Sequence, residues 1–304
     1  MRTARTNGLT IGILAAAVVV GAGGWTPAHA QARLRWDFSP GQTLRYEVVQ
    51  KTSGKIKRGE QTIETTNEWT ATVAWSVKAV EPSETARIGM KVQRVRLLIR
   101  SAGLKVEYDT QKPSNKDETF VRPFHEVYSS VLGADYSLKL SARGELIEAK
   151  VPETVLRAVA NSPFVALAES PGVLSESGLK NLFAQFVPVF PGKSIKPGDR
   201  WTGTVESPAP PLRMIVSLKD ELIELSDKSA KVRVSCDTAI HADPKVPFAV
   251  KLTKQQGAGE MSFDRKAGRL TSSALKQSLE MVQSCMNQEN TQSVVLDARM
   301  SLVP

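Results

Sequence analysis

Cysteine, histidine and long apolar runs are all scarce in this chain of 304 residues. It holds 2 Cys and 3 His, and no C-x-x-C pair occurs, so the usual ligand set for a zinc ion is missing. Two cysteines cannot make a disulfide scaffold, and an apolar core must hold the fold instead. Neither a Walker-type glycine loop nor G-x-S-x-G is present. His125-Glu126 begins like H-E-x-x-H, but position 129 is Ser and the two-histidine site fails. Ser273 and Lys276 match S-x-x-K, a motif that requires both groups on one helical face. The segment reads as a strand, which sends them to opposite sides. Gly257-Ala258-Gly259 lacks the following helix that would cradle a phosphate. These absences predict a protein that is not an enzyme and uses no metal and no cofactor.

One apolar run does stand out, Leu9 to Ala22, 14 positions long. Arg2 and Arg5 precede it and Ala28-His29-Ala30 follows, the three-part layout of a secretory signal. Spanning a bilayer takes about 20 residues, so this run is too short for an anchor. Residues 1–30 are therefore expected to be a signal peptide, and the mature protein to be periplasmic or secreted with no transmembrane segment. Losing Arg2 and Arg5 and no acid lowers the formal charge from +9 to +7. Export removes nucleic acid as an expected partner and leaves anionic envelope polymers, lipid head groups or acidic proteins. It also lets Cys236 and Cys285 oxidise. Cys236 is in phase with Val232 and Val234, and Cys285 with Leu275, Leu279 and Met281, so a disulfide between two inward cysteines is one expectation.

Hydrophobic content of 41% and charged content of 23% are those of a globular chain and argue against disorder. Long alternating segments dominate. From Trp69, apolar residues fall at 71, 73, 75, 77 and 79, and the positions between include Thr70, Thr72, Ser76 and Lys78, the period of a strand wet on one face. The next strand keeps Ala86, Ile88, Met90 and Val92 in phase, then shifts to Val95, Leu97 and Ile99. One extra residue near Gln93–Arg94, a β-bulge, restores a single apolar face. Alternation returns at 212–218, 232–236 and 294–302. Pro123–Leu132, Pro152–Ala160 and Leu174–Phe186 instead show helical spacing, the first two with Pro near the start. Leu138–Ile147 reads as strand, glycine turn, strand, and Pro188–Pro197 is the best boundary.

Beyond that boundary the chain starts again. Phe38-Ser39-Pro40-Gly41-Gln42 matches Ile195-Lys196-Pro197-Gly198-Asp199. Val80-Glu81-Pro82-Ser83-Glu84 matches Ile223-Glu224-Leu225-Ser226-Asp227, and Val106-Glu107-Tyr108-Asp109 matches Met261-Ser262-Phe263-Asp264. Turn sequences reuse the same few residues, so chance is the competing explanation. The expected fold is α+β, mainly antiparallel β: two related curved β units with a helical insertion between them. Its parts are the signal peptide 1–30, a first β unit with the insertion at 31–192, and a second β unit at 193–304.

Leu34-Arg35-Trp36-Asp37-Phe38 with Pro40-Gly41, then Pro188-(x)8-Pro197-Gly198-Asp199-Arg200-Trp201, then Gly257-Ala258-Gly259 leading to Phe263-Asp264-(x)3-Gly268-Arg269-Leu270, resembles an uncharacterised family of exported proteins from planctomycete-type bacteria. The resemblance covers most of the chain after residue 30. Gly198-Asp199-x-Trp201 is its most specific piece. It implies an exported address and a fold, and no chemistry.

Two surfaces are candidates for function. Trp69, Trp75 and Trp201, with Trp36, could line an apolar ligand cavity, although Trp in a β core is commoner. With the bulge in place, Arg87, Lys91, Arg94, Arg96 and Arg100 share the wet face as a basic stripe. That stripe could bind an anionic polymer or head groups, or simply be a solvated face that discourages edge pairing. The leading reading is a non-enzymatic envelope protein that binds an apolar or amphiphilic, lipid-like ligand. The alternative is a structural or interaction module docking through sheet edges or the basic stripe, and an unrecognised hydrolase comes third.

Overall fold

Side chains alternate across a strand, and the apolar phase of each segment becomes one face of a sheet. The structure, a computed structural model, describes residues 31–112, 118–162, 173–209, 212–242, 248–285 and 288–304. The expected signal at 1–30 lies outside these residues. In chain order the elements are β1 (Thr43–Arg58), β2 (Gln61–Val80), β3 (Ala86–Ser101), β4 (Leu104–Asp109), α1 (Arg122–Val131), β5 (Tyr136–Leu140), β6 (Leu146–Lys150) and α2 (Glu153–Ala160). There follow α3 (Glu176–Phe186), β7 (Arg200–Ala209), β8 (Leu212–Leu225), β9 (Ser229–Ala242), β10 (Phe248–Asp264), β11 (Arg269–Cys285) and β12 (Gln288–Val303).

The strands form one antiparallel sheet in the order β6-β5-β3-β2-β1-β12-β11-β10-β9-β8-β7, with β4 added on β3. Two meanders are thus joined side by side where β1 pairs β12. The phase change in β3 is a bulge: Thr72 pairs Arg94 while Val73 pairs Val92, leaving Gln93 as the extra residue. Val92, Val95 and Leu97 are buried on one face as a result.

The helices enter at two places, α1 between β4 and β5, and α2 and α3 between β6 and β7. Pro occupies the first turn of α1. The Ser175 hydroxyl caps α3 by accepting from the Gly178 N–H at 2.9 Å. With 11 residues, α3 is about 16 Å long. It nevertheless touches β6 and β7 at the two ends of the sheet and β11 and β12 in its middle. Gln185 on α3 also accepts from Gln50 on β1. A helix this short meets both ends and the middle only because the sheet curls around it.

Register corrects three expectations, and the first is the match of Val80 to Ile223: Val77 and Leu222 make the equivalent turn bonds and are each followed by a bulge, so Val80 answers Leu225. Cys236 is a free, buried thiol. It sits beside Gly257 on β10, whereas Cys285 pairs with Phe248. The nine residues from Gly257 to Phe248 are about 30 Å of strand, and β10 also lies between the two cysteines. No disulfide joins them; the side chain of Cys285 itself lies outside the described residues. The match of Met261–Asp264 to Val106–Asp109 also moves. Ala230 pairs Phe263 in the second meander as Ala86 pairs Leu140 in the first, so the counterpart of Met261–Phe263 is Leu138–Leu140 on β5.

Candidate functional site

The concave face carries the core at one end of the strands and an apolar lining at the other. At the covered end, Trp75 stacks on Phe183 of α3 at 5.1 Å between ring centroids and meets Tyr46 at 4.8 Å and Trp36 at 6.3 Å. Trp36 lies against Phe38 and Phe263, and Phe263 against Phe190. Leu34, Trp36 and Phe38 come from a strap that ties the two meanders together. The Trp36 N–H donates to Ala142 of the β5–β6 turn and the Asp37 N–H to Gly268 of the β10–β11 turn.

Trp69 and Trp75, each 2% exposed, are therefore packing residues of this core. Trp201 is half-buried at the edge of it. Across the β7–β8 pair from Trp201 is Asp220, which is buried on the apolar face. Among the described residues neither its Oδ1 nor the Trp201 indole nitrogen has a partner in full hydrogen-bond geometry, although the indole lies close enough to act on the carboxyl. Burial pushes the Asp220 carboxyl up to about 6, and the neighbouring indole offsets this only in part. Sequence reading missed Asp220, although its phase with Leu218 and Leu222 was a signal that the acid points inward.

Past α3 the inner face continues as Val216 and Leu218 on β8, Ile240 on β9, Leu252 on β10, Met281 on β11 and Val294 and Leu296 on β12. All of these are half-buried. Polar side chains are set among them: Gln277 donates to Thr238, both buried, the Thr238 N–H donates to Gln255, and Gln292 lies opposite Met281. The apolar side chains offer an apolar chain dispersion and desolvation, and the amides between them offer hydrogen bonds to a polar end.

Two pockets lie elsewhere. One of about 490 Å³ is lined by Thr43, Leu44, Arg45, Arg269, Leu302 and Pro304 among others. A second, about 270 Å³, lies against α3 between Leu146 of β6 and Val205 of β7. Neither is lined by Trp69, Trp75 or Trp201.

The five cations of the basic stripe do share the outer face of β3, but acids are interleaved with them. Arg94 is bound by Asp109 at 2.5 Å, Lys91 by Asp135 at 3.2 Å, and Arg87 lies 4.0 Å from Glu81. Arg94 and Asp109 each favour the other's charged form, so the carboxyl is held below its ordinary range and the guanidinium above its own. Arg96 and Arg100 are exposed. On α1, His125 Nδ1 meets the Tyr108 hydroxyl at 3.0 Å and the Ser129 hydroxyl at 3.4 Å. The first contact ties the helix to β4, and the second lies within the helix. Ser273 is buried and Lys276 exposed on β11, on opposite faces as a strand requires. Among the described residues no helix is long and apolar enough to cross a membrane.

With the fold in view, residues 83–270 match the profile of a family of unknown function (DUF6263). The chain belongs to that family. No curated protein matches it. Among solved structures it is similar to one titled "Lipid-protein interactions in lipovitellin", at 12% identity and a TM-score of 0.50. The alignment covers 88% of this chain and 26% of that one, so this chain spans about a quarter of lipovitellin's length. Weaker likenesses include OccK5 (OpdH) of Pseudomonas aeruginosa, with a TM-score of 0.29, 6% identity, and coverage of 87% and 99%. A DUF1329 family protein from Desulfovibrio piger gives 0.13, 9%, 82% and 83%.

Proposed function

We propose that this protein is an exported, non-enzymatic carrier of an apolar or amphiphilic, lipid-like ligand, working in the periplasm or outside the cell. The observation that carries this reading is the group of half-buried apolar side chains on the inner face, Val216 and Leu218 on β8 and Val294 and Leu296 on β12, set around the polar positions Thr238, Gln255 and Gln277. An apolar strip costs free energy in water, about 25 cal/mol for each Å² left wet, and an acyl chain laid along it recovers that cost. The likeness in fold to lipovitellin, whose title names lipid–protein interactions, supports the same reading. The Ser129–His125 contact does not favour hydrolysis, because among the described residues the hydrogen-bond partners of His125 Nδ1 are a phenol and a hydroxyl, whereas a catalytic triad orients that nitrogen with a carboxylate.

The test is protein exported by its native host and purified without detergent, with bound lipids extracted and identified by mass spectrometry. A co-purifying amphiphile is expected, and it should be lost from Leu296→Glu and Val216→Glu variants that keep the wild-type circular dichroism. Wild-type protein that carries no lipid, and takes up neither fatty acid nor phospholipid from vesicles, would end the reading.

A further inference from the structure

The two meanders repeat each other bond for bond at their first turn. In the first, Gly41 N–H donates to Val77, Val77 N–H to Gln42 and Gln42 N–H to Ser39, at 2.9, 2.9 and 3.0 Å. In the second, Gly198 donates to Leu222, Leu222 to Asp199 and Asp199 to Lys196, at 2.7, 3.0 and 3.0 Å. Directly after these paired residues comes the same one-residue bulge, Lys78 in β2 and Ile223 in β8. The correspondence sets β1 against β7, β2 against β8, β3 against β9, β5 against β10 and β6 against β11.

Applied to the sheet, the correspondence exposes an asymmetry. Between the first strand of one unit (β1) and the last strand of the other (β11) lies β12, antiparallel to both. The equivalent position lies between β7 and β6, the two free edges, and no described strand fills it. Every step along the path from β6 to β7 is antiparallel and the path holds an odd number of strands, so β6 and β7 run in the same direction, as β1 and β11 do. They cannot pair antiparallel with each other. One strand between them would be antiparallel to both.

The seam is also chemically open. Leu146 and Val205 face one pocket of about 270 Å³, floored by Phe183, Ala184 and Val187 of α3 and the turn after it. Val189, 38% exposed, lines it as well, and Ile147, next to Leu146 on β6, is 54% exposed. The β7 edge stretch Thr202–Val205 bears no charge, the kind of edge that accepts a further strand; on β6 Glu148 and Lys150 are paired with each other at 2.9 Å, and Glu145, Lys180 and Glu206 stand at the rim of the pocket.

We propose that this seam is a docking site for one extended peptide segment of a partner polypeptide, inserted between β6 and β7 as β12 is between β1 and β11. Its recognition chemistry is that of β12, whose inward residues Leu296, Ala298, Met300 and Leu302 alternate with polar ones. Main-chain hydrogen bonds to both edges would give affinity, and alternate apolar side chains would rest on Ala184 and Val187. This inference stands apart from the lipid reading and survives its failure.

The test uses a synthetic peptide of residues 294–303 and the whole protein from residue 31, followed by hydrogen–deuterium exchange. Exchange at 146–150 and 200–206 should slow about tenfold or more on adding the peptide. A peptide with Ala298→Pro, which breaks the ladder, should give no slowing. Filling the floor with Ala184→Trp, or the β7 edge with Thr204→Trp, should abolish the effect while leaving exchange in β2 and β10 unchanged. No slowing at either edge overturns the proposal. So does slowing confined to β1 and β11, which would mean exchange for the native β12. Slowing that grows with protein concentration in the absence of peptide overturns it in favour of self-association.

Discussion

Gln277 on β11 donates from Nε2 to Thr238 Oγ1 on β9 at 2.6 Å, reaching across the strand that separates them. The residue opposite Gln277 on that strand is Gly257. A Cβ there would collide with the Cys236 sulfur and lie 3.0 Å from the Cys236 carbonyl oxygen. Gly257 is bare because two neighbouring strands close over it.

Gly257→Ala should therefore destabilise the protein by about 1–3 kcal/mol, through overpacking against Cys236 and loss of the bridge above. Urea unfolding measures this. Adding Cys236→Ala should return part of the loss, because it frees the space that the new methyl needs. A single variant as stable as wild type would show that the strands part without cost.

Four turn glycines should separate into two classes. Gly41 and Gly198 have φ of +85° and +92° with open space around the missing Cβ. Alanine at either should cost about 1–2 kcal/mol, the price of the left-handed backbone. Gly144 and Gly268, at φ +91° and +56°, would in addition drive a methyl into the Pro188 carbonyl and into the Asp37 backbone. Thermal unfolding should rank both of these variants below the first pair. Equal losses across all four would refute the steric part of the argument.

Asp220 should make the protein less stable as pH rises. Its folded pKa is raised to about 6 by burial, above the unfolded value near 3.9, so the folded state holds the proton more tightly. The linked stability is full below about pH 3.9 and declines until about pH 6. Asp220→Asn removes the charge and keeps the shape. It should stabilise the protein by about 2–3 kcal/mol at pH 7.5 and gain little at pH 4. Denaturation at the two pH values decides, and an equal effect at both would exclude burial of the charge as the cause.

The Arg94–Asp109 pair predicts the opposite slope. Arg94 hydrogen-bonds the carboxyl and holds its folded pKa below the unfolded one. Its contribution is present above about pH 3.9 and disappears as pH falls through the lower folded value. In Arg94→Leu the Asp109 carboxyl resonance should titrate at higher pH, and acid unfolding should become less steep. An unmoved titration would mean that the pair contributes nothing in solution.

Local chemistry alone settled a large part of this fold. The period-two segments became β2, β3, β8, β9 and β12, and the bulge at Gln93 followed from counting phase within a single strand. The three described helices lie where Pro, Ser175 and the helical spacing put them, since caps and periodicity act over a few residues. Pro40-Gly41 and Pro197-Gly198 were readable as equivalent turns for the same reason. Strand order was not readable. That β1 meets β12, that β10 separates Cys236 from Cys285, and that Leu138–Leu140 rather than Val106–Tyr108 answers Met261–Phe263 all depend on pairings between residues far apart in the chain. Phase says which face a side chain takes, and it says nothing of which strand lies beside it. The site was divided in the same way. The inward direction of Leu218, Leu296 and Asp220 was written in their spacing. Only the curl of the sheet around α3 decided that Trp75 would be covered by Phe183 while Leu296 stayed half-exposed, because a helix of 11 residues shields only part of strands 14–20 residues long.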